Sequence, residues 1–335
     1  MKKILVTGGL GFIGSHTVVE LQNAGFNVLI IDNLSNSRIE ALEQIKSITS
    51  VKPDFYNIDI RSKEALKSFF DTEKVDGIIH FAALKSVGES VQKPQEYFEN
   101  NVDGLVNLLA EIKNRNLNNL IFSSSCTVYG QADELPITEN APLKPAESPY
   151  GETKQIGEKI INESCLSNNL KAIALRYFNP IGAHKSAKIG ELPLGIPQNL
   201  IPYVTQTAAG IREQLSVFGD DYPTKDGTAV RDYIHVVDLA KAHISALKRL
   251  INKSNKTNFE VFNIGTGKGT SVLEIIKTFE KVTNQKLNYK IVERRSGDIT
   301  SAYADTTLAN KELNWKTEKT LDQALLSAWK WQQKQ

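Results

Sequence analysis

The chain has 335 residues, enough for one large domain or two, and 41% of them are hydrophobic. Its 40 basic and 38 acidic side chains nearly cancel and are spread along the chain, which argues against nucleic acid or an anionic membrane surface as the main partner. Two cysteines and no Cys/His cluster favour neither a disulfide framework nor a metal site, and they fit a reduced cytoplasm. No run of about 18 apolar residues occurs, so we expect no membrane-spanning segment.

Short apolar runs alternate with longer helical patterns in the first half of the chain. This alternation predicts a doubly wound α/β fold of the Rossmann type, with helices on both faces of a parallel sheet. The strands are continuously apolar, as expected for a parallel sheet that is buried on both faces. Strands are predicted at 4–6, 28–31, 77–81, 120–124 and 172–175, and helices at 13–24, 63–71, 97–114 and 150–164.

The second half of the chain differs in composition and in its pattern of apolar residues. Proline and glycine are frequent between 179 and 230, a helical pattern returns at 236–250, and the chain ends in a predicted helix at 321–331. We therefore predict a dinucleotide-binding domain over 1–178 and a smaller, mixed α/β substrate domain over 179–335. The segment 231–250 is expected to pack back onto the first domain.

A glycine-rich turn follows the first predicted strand. Gly8, Gly11 and Gly14 precede a helix, and such a turn brings backbone N–H groups and the positive end of the helix dipole to a phosphate. Asp32 ends the next strand, 18 positions after Gly14. A carboxylate there accepts hydrogen bonds from ribose hydroxyls and repels a 2′-phosphate, which favours NAD over NADP.

A tyrosine and a lysine lie four residues apart at Tyr150 and Lys154, which places them on one face of the predicted helix. An ammonium beside a phenol lowers the phenol's pKa, so this pair predicts a base that works near neutral pH. Three serines, 123–125, follow a predicted strand whose end should face the ligand crevice. Each feature is common alone; their order along the chain, after the glycine turn and Asp32, is far more specific.

Together these motifs identify a family. The chain resembles the UDP-galactose 4-epimerases of the extended short-chain dehydrogenase/reductase family over nearly its whole length. The matching segments are VTGGLGFIGSH (6–16), FAALK (81–85), SSSCTVYG (123–130), SPYG (148–151), RYFNPIGAH (176–184), DGT (226–228) and VRDYIHV (230–236).

The resemblance implies an activity and a set of site residues. It implies that Tyr150 takes the O4 proton while C4 passes a hydride to tightly bound NAD, and that the 4-keto sugar then turns over and takes the hydride back on its other face. The result is interconversion of UDP-glucose and UDP-galactose, with Lys154 and Ser125 assisting Tyr150. The implied NAD-site residues are Gly8, Gly11, Phe12, Ile13, Gly14, Asp32, Asn33, Asn36, Ser37, Asp59, Ile60, Phe81, Ala82, Lys85, Asn100, Ser123, Tyr150, Lys154 and Phe178.

The resemblance also implies a site for the UDP-sugar and a homodimer formed through the helices at 97–114 and 150–164. Arg231 and Arg295 match diphosphate-binding arginines, and Asp298 matches a ligand of the uridine ribose. The small Ala302 occupies a position beside the hexose, so we expect UDP-N-acetylglucosamine and UDP-N-acetylgalactosamine to be accepted too. The full substrate set is Ser125, Tyr150, Asn179, Asn199, Leu200, Phe218, Arg231, Arg295, Asp298 and Ala302.

Three other functions are weighed against this one. An epimerase acting on a hexuronic acid differs only in pocket residues. A sugar-nucleotide 4,6-dehydratase carries an Asp-Glu pair after its active-site threonine, whereas Cys126 and Thr127 follow Ser125 here. A non-catalytic NAD-binding protein has no need of Tyr150 and Lys154.

Overall fold

The first half of the chain alternates strands and helices as its sequence pattern predicts. The computed structural model describes residues 1–295 and 298–335. In chain order the elements are β1 (Lys3–Thr7), α1 (Phe12–Asn23), β2 (Asn27–Asp32), α2 (Ala41–Thr49), β3 (Asp54–Asn57), α3 (Lys63–Thr72), β4 (Gly77–His80), α4 (Val87–Gln92), α5 (Pro94–Phe98), α6 (Gly104–Asn114), β5 (Asn119–Ser123), α7 (Pro149–Ser167) and β6 (Lys171–Tyr177).

The second half has shorter strands and more irregular backbone, in keeping with its proline and glycine content. Its elements are β7 (Asn179–Ile181), α8 (Leu200–Ala208), β8 (Leu215–Phe218), β9 (Val230–Arg231), β10 (Tyr233–His235), α9 (Val236–Ile251), β11 (Phe259–Ile264), β12 (Thr270–Ser271), α10 (Val272–Thr283), β13 (Tyr289–Val292), β14 (Ser301–Ala302), α11 (Thr307–Glu312) and α12 (Leu321–Gln332).

Seven parallel strands form the central sheet, in the order β11-β6-β5-β4-β1-β2-β3. The strand order reverses next to β1, and in such sheets ligands bind beyond the carboxyl ends of the strands at this switch point. The predicted Rossmann-type α/β fold is confirmed. The carboxyl end of β1 leads into the glycine turn, and those of β4 and β5 lead into the loops after 80 and 123.

The two faces of the sheet carry separate hydrophobic cores because side chains alternate along each strand. Ile4 and Val6 of β1 pack with Val18 of α1 and Leu247 of α9. Leu5 points to the other face and shares a core with residues of α3, α6 and α7. The apolar strands are therefore covered on both sides, which explains why they read as continuous apolar runs.

Helix α9 lies against α1, in the same core as β1. The next strand, β11, pairs with β6 and completes the sheet. The sheet therefore takes strands from both sides of residue 178, and the division of the chain at that residue stays a prediction. The other strands after 178 form small sheets: β7 with β10, β8 with β13, and β9 with β12 and β14. A third core is built from residues of β7, β8, β10, α8, α10 and α12.

The helix predicted at 97–114 is not continuous. Its first turn belongs to α5, Glu99–Asp103 form a π-helical turn, and α6 begins only at Gly104. The buried Asn101 in this turn accepts a hydrogen bond from Leu84 N (2.8 Å) and donates one to Thr153 Oγ1 (3.1 Å). Such turns are frequent at functional sites, and this one joins the loop after β4 to α7. No helix within the described residues is long and apolar enough to cross a bilayer.

Candidate active site

The turn between β1 and α1 is built so that only glycine fits it. Gly8 has φ +69°, and a Cβ on Gly14 would lie 2.1 Å from Gly8 O. Gly11 is the N-cap of α1; no side chain caps the helix and no acidic residue lies in its first turn. Phe12, Ile13 and Gly14 line the adjacent cavity. The first N–H groups of α1 are therefore available to an anion, as the diphosphate of NAD requires.

Asp32 fixes the next part of the site. Its buried carboxylate accepts hydrogen bonds from Leu10 N (3.1 Å), Leu34 N (3.0 Å) and Ser37 Oγ (2.8 Å). These bonds hold the glycine turn and the loop after β2 together at the cavity wall. The negative charge they place there suits a free ribose diol and disfavours a 2′-phosphate.

A cavity of about 880 Å³ runs from Asp32 to Tyr150 at the carboxyl end of the sheet. Asp59 and Phe178 are the two predicted NAD-site residues outside its wall. The Asp59 carboxylate pairs with Arg61 (2.7 Å), which lowers its pKa to about 2, and Phe178 is buried beside Val128. The wall contains Gly8, Gly11, Phe12, Ile13, Gly14, Asp32, Asn33, Asn36, Ser37, Ile60, Phe81, Ala82, Lys85, Asn100, Ser123, Tyr150 and Lys154.

Tyr150 and Lys154 lie one turn apart at the start of α7. Ser148 caps this helix by accepting a hydrogen bond from Gly151 N (3.2 Å), and Pro149 takes its first position. Lys154 Nζ lies 5.8 Å from the centre of the Tyr150 ring and donates to Ser123 O (2.8 Å). Both side chains are buried, so water is largely excluded from the phenol and the ammonium.

Burial decides the protonation of this pair. It raises the pKa of Tyr150 well above 10, with the neighbouring Tyr177 adding to the rise and the Ser125 hydroxyl opposing it. It lowers the pKa of Lys154 to about 8, with Glu158 opposing the fall. The expectation that Lys154 brings the phenol's pKa below 10 is wrong for the protein's own groups, because the removal of the phenolate from water is the largest influence on this pKa.

A buried ion pair that the sequence analysis missed lies behind these residues. Glu158, one turn after Lys154, accepts hydrogen bonds from Arg176 (2.6 and 2.9 Å) and from the Ser124 hydroxyl. Arg176 also donates to Tyr129 Oη (3.0 Å). The pair therefore connects α7 to β6 and to the serine segment, residues 123–125. Its one sequence signal is spacing, since Tyr150, Lys154 and Glu158 recur every four residues.

Tyr177 is a second residue that the sequence analysis missed. It stands at the end of β6, lines the cavity and exchanges a hydrogen bond with Ser123 Oγ (2.7 Å). Ser125 begins the 3-10 turn Cys126–Tyr129 and accepts a bond from Thr127 N (3.2 Å). Position at a strand end, as for Ser123, is the signal that could have pointed to Tyr177.

Five predicted UDP-site residues form a cluster in the second half. Arg295 donates to Asp298 (3.0 Å) and lies 4.6 Å from the centre of the Phe218 ring, and Arg231 lies 4.0 Å from Asp298. Ala302 pairs with Arg231 between β14 and β9. Three further predicted residues belong to other elements: Asn179 pairs with Tyr233 in the β7–β10 sheet and donates to Asp232 O (2.9 Å), Asn199 lines the large cavity and Leu200 begins α8.

Comparison with known proteins identifies the family of the chain. A family model described as GDP-mannose 4,6 dehydratase matches residues 5–327. The UDP-glucose 4-epimerases of Drosophila melanogaster and Bacillus subtilis (strain 168) are each 49% identical to this chain, covering 98% of it and 96% of their own length. The chain belongs to the UDP-glucose 4-epimerase family. The family predicted from the motifs is thus confirmed.

Solved structures agree with this membership. A UDP-glucose-4-epimerase from Stenotrophomonas maltophila, with bound NAD and formylated UDP-arabinopyranose, superposes with a TM-score of 0.96 at 46% identity, covering 100% of this chain and 98% of that one. The Bifidobacterium longum enzyme, in complex with NAD⁺ and UDP, gives 0.95 at 46%, covering 99% and 98%. The prediction that NAD is the cofactor of this family member is confirmed.

Gly14→Ala should remove most of the NAD from the purified protein. The new Cβ would lie 2.1 Å from Gly8 O, so the turn must move away from its phosphate-binding position, at a cost of about 1–3 kcal/mol or more. Nucleotide released by acid and quantified per chain measures the effect. Gly88→Ala is the matched control, since Gly88 also lines the cavity but an added Cβ would meet only Gln198 Oε1, at 3.9 Å, an ordinary van der Waals distance. Equal NAD content in the two variants would contradict this account of the turn.

Proposed function

We propose that this protein interconverts UDP-glucose and UDP-galactose by oxidising and re-reducing C4 with tightly bound NAD. The observation that carries the proposal is that Tyr150 and Lys154 are buried at one end of a cavity whose other end is a dinucleotide-type turn. The buried Ser125 hydroxyl is hydrogen-bonded to the Tyr150 phenol behind this wall. No external redox partner is needed, because the two half-reactions cancel.

The protein's own residues fit NAD along the cavity. The N-terminus of α1 would take the diphosphate, Asp32 the adenosine ribose, and Lys154 with Ser123 the nicotinamide end. When bound, NAD supplies the acceptor and donor of a hydride for C4 of the hexose and, in its oxidised form, a positive charge at the reactive end. Any cation brought beside Tyr150 lowers the pKa that burial has raised, so the phenol becomes a base only when the site is loaded.

Tyr150 takes the O4 proton in this proposal, and Ser125 provides a hydroxyl on the proton's path. Lys154, with a pKa of about 8, is mostly protonated at neutral pH and stabilises the phenolate. Raising the pH through 8 removes this ammonium charge, so alkaline solution does not by itself produce a better base. Burial of all three groups keeps water from the reacting sugar and so retains the ketone.

The UDP group is held away from the reacting carbon. Arg231 and Arg295 provide forked, permanently charged donors for a diphosphate, and Asp298 can bind the uridine ribose. A sugar anchored only through its nucleotide can turn in the pocket and present either face of C4 to the same cofactor. This division between anchoring and chemistry supports epimerisation rather than net oxidation.

Dehydration is the second reaction to weigh, because the matching family model is described as a dehydratase. Elimination of water across C5 and C6 needs an acid and a base beside the pocket. Cys126 and Thr127 occupy the positions after Ser125, and burial raises the pKa of the Cys126 thiol to about 12. Neither side chain can exchange protons near neutral pH, which favours epimerisation.

Tyr150→Phe should lower kcat for UDP-galactose about 10²- to 10⁴-fold, the range for a lost general base, while the protein keeps its NAD. The assay measures UDP-glucose formed without added NAD, and parallel runs with UDP-glucuronic acid test the hexuronic acid alternative. Tyr289→Phe, on the exposed strand β13, is the control and should retain full turnover. Turnover by Tyr150→Phe within a few-fold of the parent would refute the role of the phenol.

We also propose that UDP-N-acetylglucosamine and UDP-N-acetylgalactosamine are substrates. Ala302 is buried in a cluster with Phe178 and Val128, next to the serine segment. The large ring of Tyr303 packs over Gly269, where an added Cβ would lie 3.0 Å from it. The side chains of Ala302 and Tyr303 therefore point in different directions from the backbone. The small side chain of Ala302 faces the cluster that contains Phe178.

Ala302→Tyr should lower the ratio of kcat/KM for UDP-N-acetylglucosamine to kcat/KM for UDP-galactose at least about tenfold, the effect expected when a pocket loses room for a substituent. Ala302→Ser keeps the side chain small and should leave the ratio near that of the parent. Negligible turnover of the acetylated sugar by the parent protein would refute the dual activity.

The quaternary structure and location are part of the same proposal. We propose a cytoplasmic homodimer formed through α6 and α7. The apolar Val106 on α6 is 45% exposed, which supports the dimer. The free thiols of Cys126 and Cys165 support a reduced cytoplasm. Light scattering should give about twice the 37.2 kDa chain mass, and Val106→Asp should shift the mass toward one chain. A parent protein of single-chain mass at micromolar concentration would contradict the dimer.

A further inference from the structure

One carboxylate oxygen joins the two halves of the molecule at the cavity wall. Glu191 Oε1 accepts a hydrogen bond from Lys85 Nζ (3.0 Å), on the loop after β4, and another from Asn199 Nδ2 (2.7 Å), at the start of α8. All three residues line the cavity. The Glu191 side chain is 11% exposed and that of Lys85 44%, so the carboxylate is sheltered and the ammonium can move.

The two donors are groups that a phosphate uses. Lys85 carries a charge, and Asn199 is the N-cap of α8, where an asparagine commonly accepts a hydrogen bond from the helix's first turn. Here no side chain caps α8, because the Asn199 amide is directed to Glu191, and no acidic residue lies in the first turn. The first N–H groups of α8 therefore have no side-chain cap. They lie next to Asn199, which donates to the Glu191 carboxylate together with Lys85.

The backbone of Glu191 is fixed, so only its side chain is free to leave. Trp331 Nε1 donates to Glu191 O (3.0 Å), and Gly190 lies so close to the Trp331 ring that an added Cβ would be 2.5 Å from it. The indole of α12 thus sets the position of the segment. Rotation of the Glu191 side chain breaks the bonds to Lys85 and Asn199 without moving this backbone.

We propose that Glu191 stands in for a phosphate and is displaced from Lys85 and Asn199 when the diphosphate of the sugar nucleotide binds there as well as to Arg231 and Arg295, a role that rests on the proposed function. Carboxylates and phosphates accept from the same donors, and two anions do not share them. Binding must first break the Glu191 contacts, so their free energy is subtracted from the affinity for nucleotide. Glu191 then weakens the hold on substrate and product and has little part in the chemical step.

Glu191→Gln keeps the shape and an acceptor oxygen but removes the charge. In calorimetry on the NAD-containing protein, with UDP as the probe, the Kd should fall about two- to five-fold, the range for a partly exposed ion pair. The KM for UDP-galactose should fall with it, while kcat changes less. Glu191→Ala removes both contacts and should lower the Kd at least as far.

Glu40→Gln is the control for charge, since Glu40 lines the same cavity on the segment after Ser37. It should leave the Kd for UDP unchanged. A Kd that is unchanged or raised in both Glu191 variants would show that Glu191 builds the nucleotide site, and would overturn the proposal. Turnover of UDP-galactose by the parent protein is scored separately: binding of UDP without epimerisation overturns the proposed function alone, and absence of UDP binding overturns both.

Discussion

An ionisable phenol and an ammonium are buried in the wall of one cavity, and the rest of the site follows from this constraint. Burial opposes the charged form of both groups, raising the pKa of Tyr150 and lowering that of Lys154. The protein's own charges do not reverse this for the phenol. In the proposed mechanism the phenol therefore stays protonated until a cation shares the cavity, which links proton removal to a loaded site.

The fold holds this pair through a second buried pair. Glu158 and Arg176 satisfy one another and also bind Ser124 and Tyr129, so α7, β6 and the serine segment form one rigid wall. A buried ion pair is weak evidence for stability, and removal of one partner is expensive, typically about 3–5 kcal/mol. Its importance here is geometric, because the same helix face that carries Tyr150 and Lys154 carries Glu158. Glu191 joins the two halves at the cavity wall through its hydrogen bonds with Lys85 and Asn199.

Much of the fold and the cofactor end of the site could be predicted from sequence because the signals there are local. The glycine turn, Asp32 and the Tyr150–Lys154 spacing each specify backbone geometry over a few residues. The direction in which the pKa of Tyr150 shifts could not be predicted, since it depends on burial by segments that are distant in sequence. The Glu158–Arg176 and Glu191–Lys85 contacts join residues 18 and 106 positions apart. The four-residue spacing from Tyr150 points to Glu158 but does not identify its partner. The break at Glu99–Asp103 was missed because the helical periodicity continues through it while Asn101 bonds elsewhere.

The central claim is that C4 is oxidised and reduced within one closed site. It is tested most directly by giving the purified protein UDP-galactose labelled with deuterium at C4, in ordinary water and without added NAD, and analysing the UDP-glucose formed. The account predicts that nearly every product molecule keeps its deuterium at C4, since neither the hydrogen nor the ketone leaves the site between the two steps. Product with ordinary hydrogen at C4, or no product until NAD is added, would contradict it.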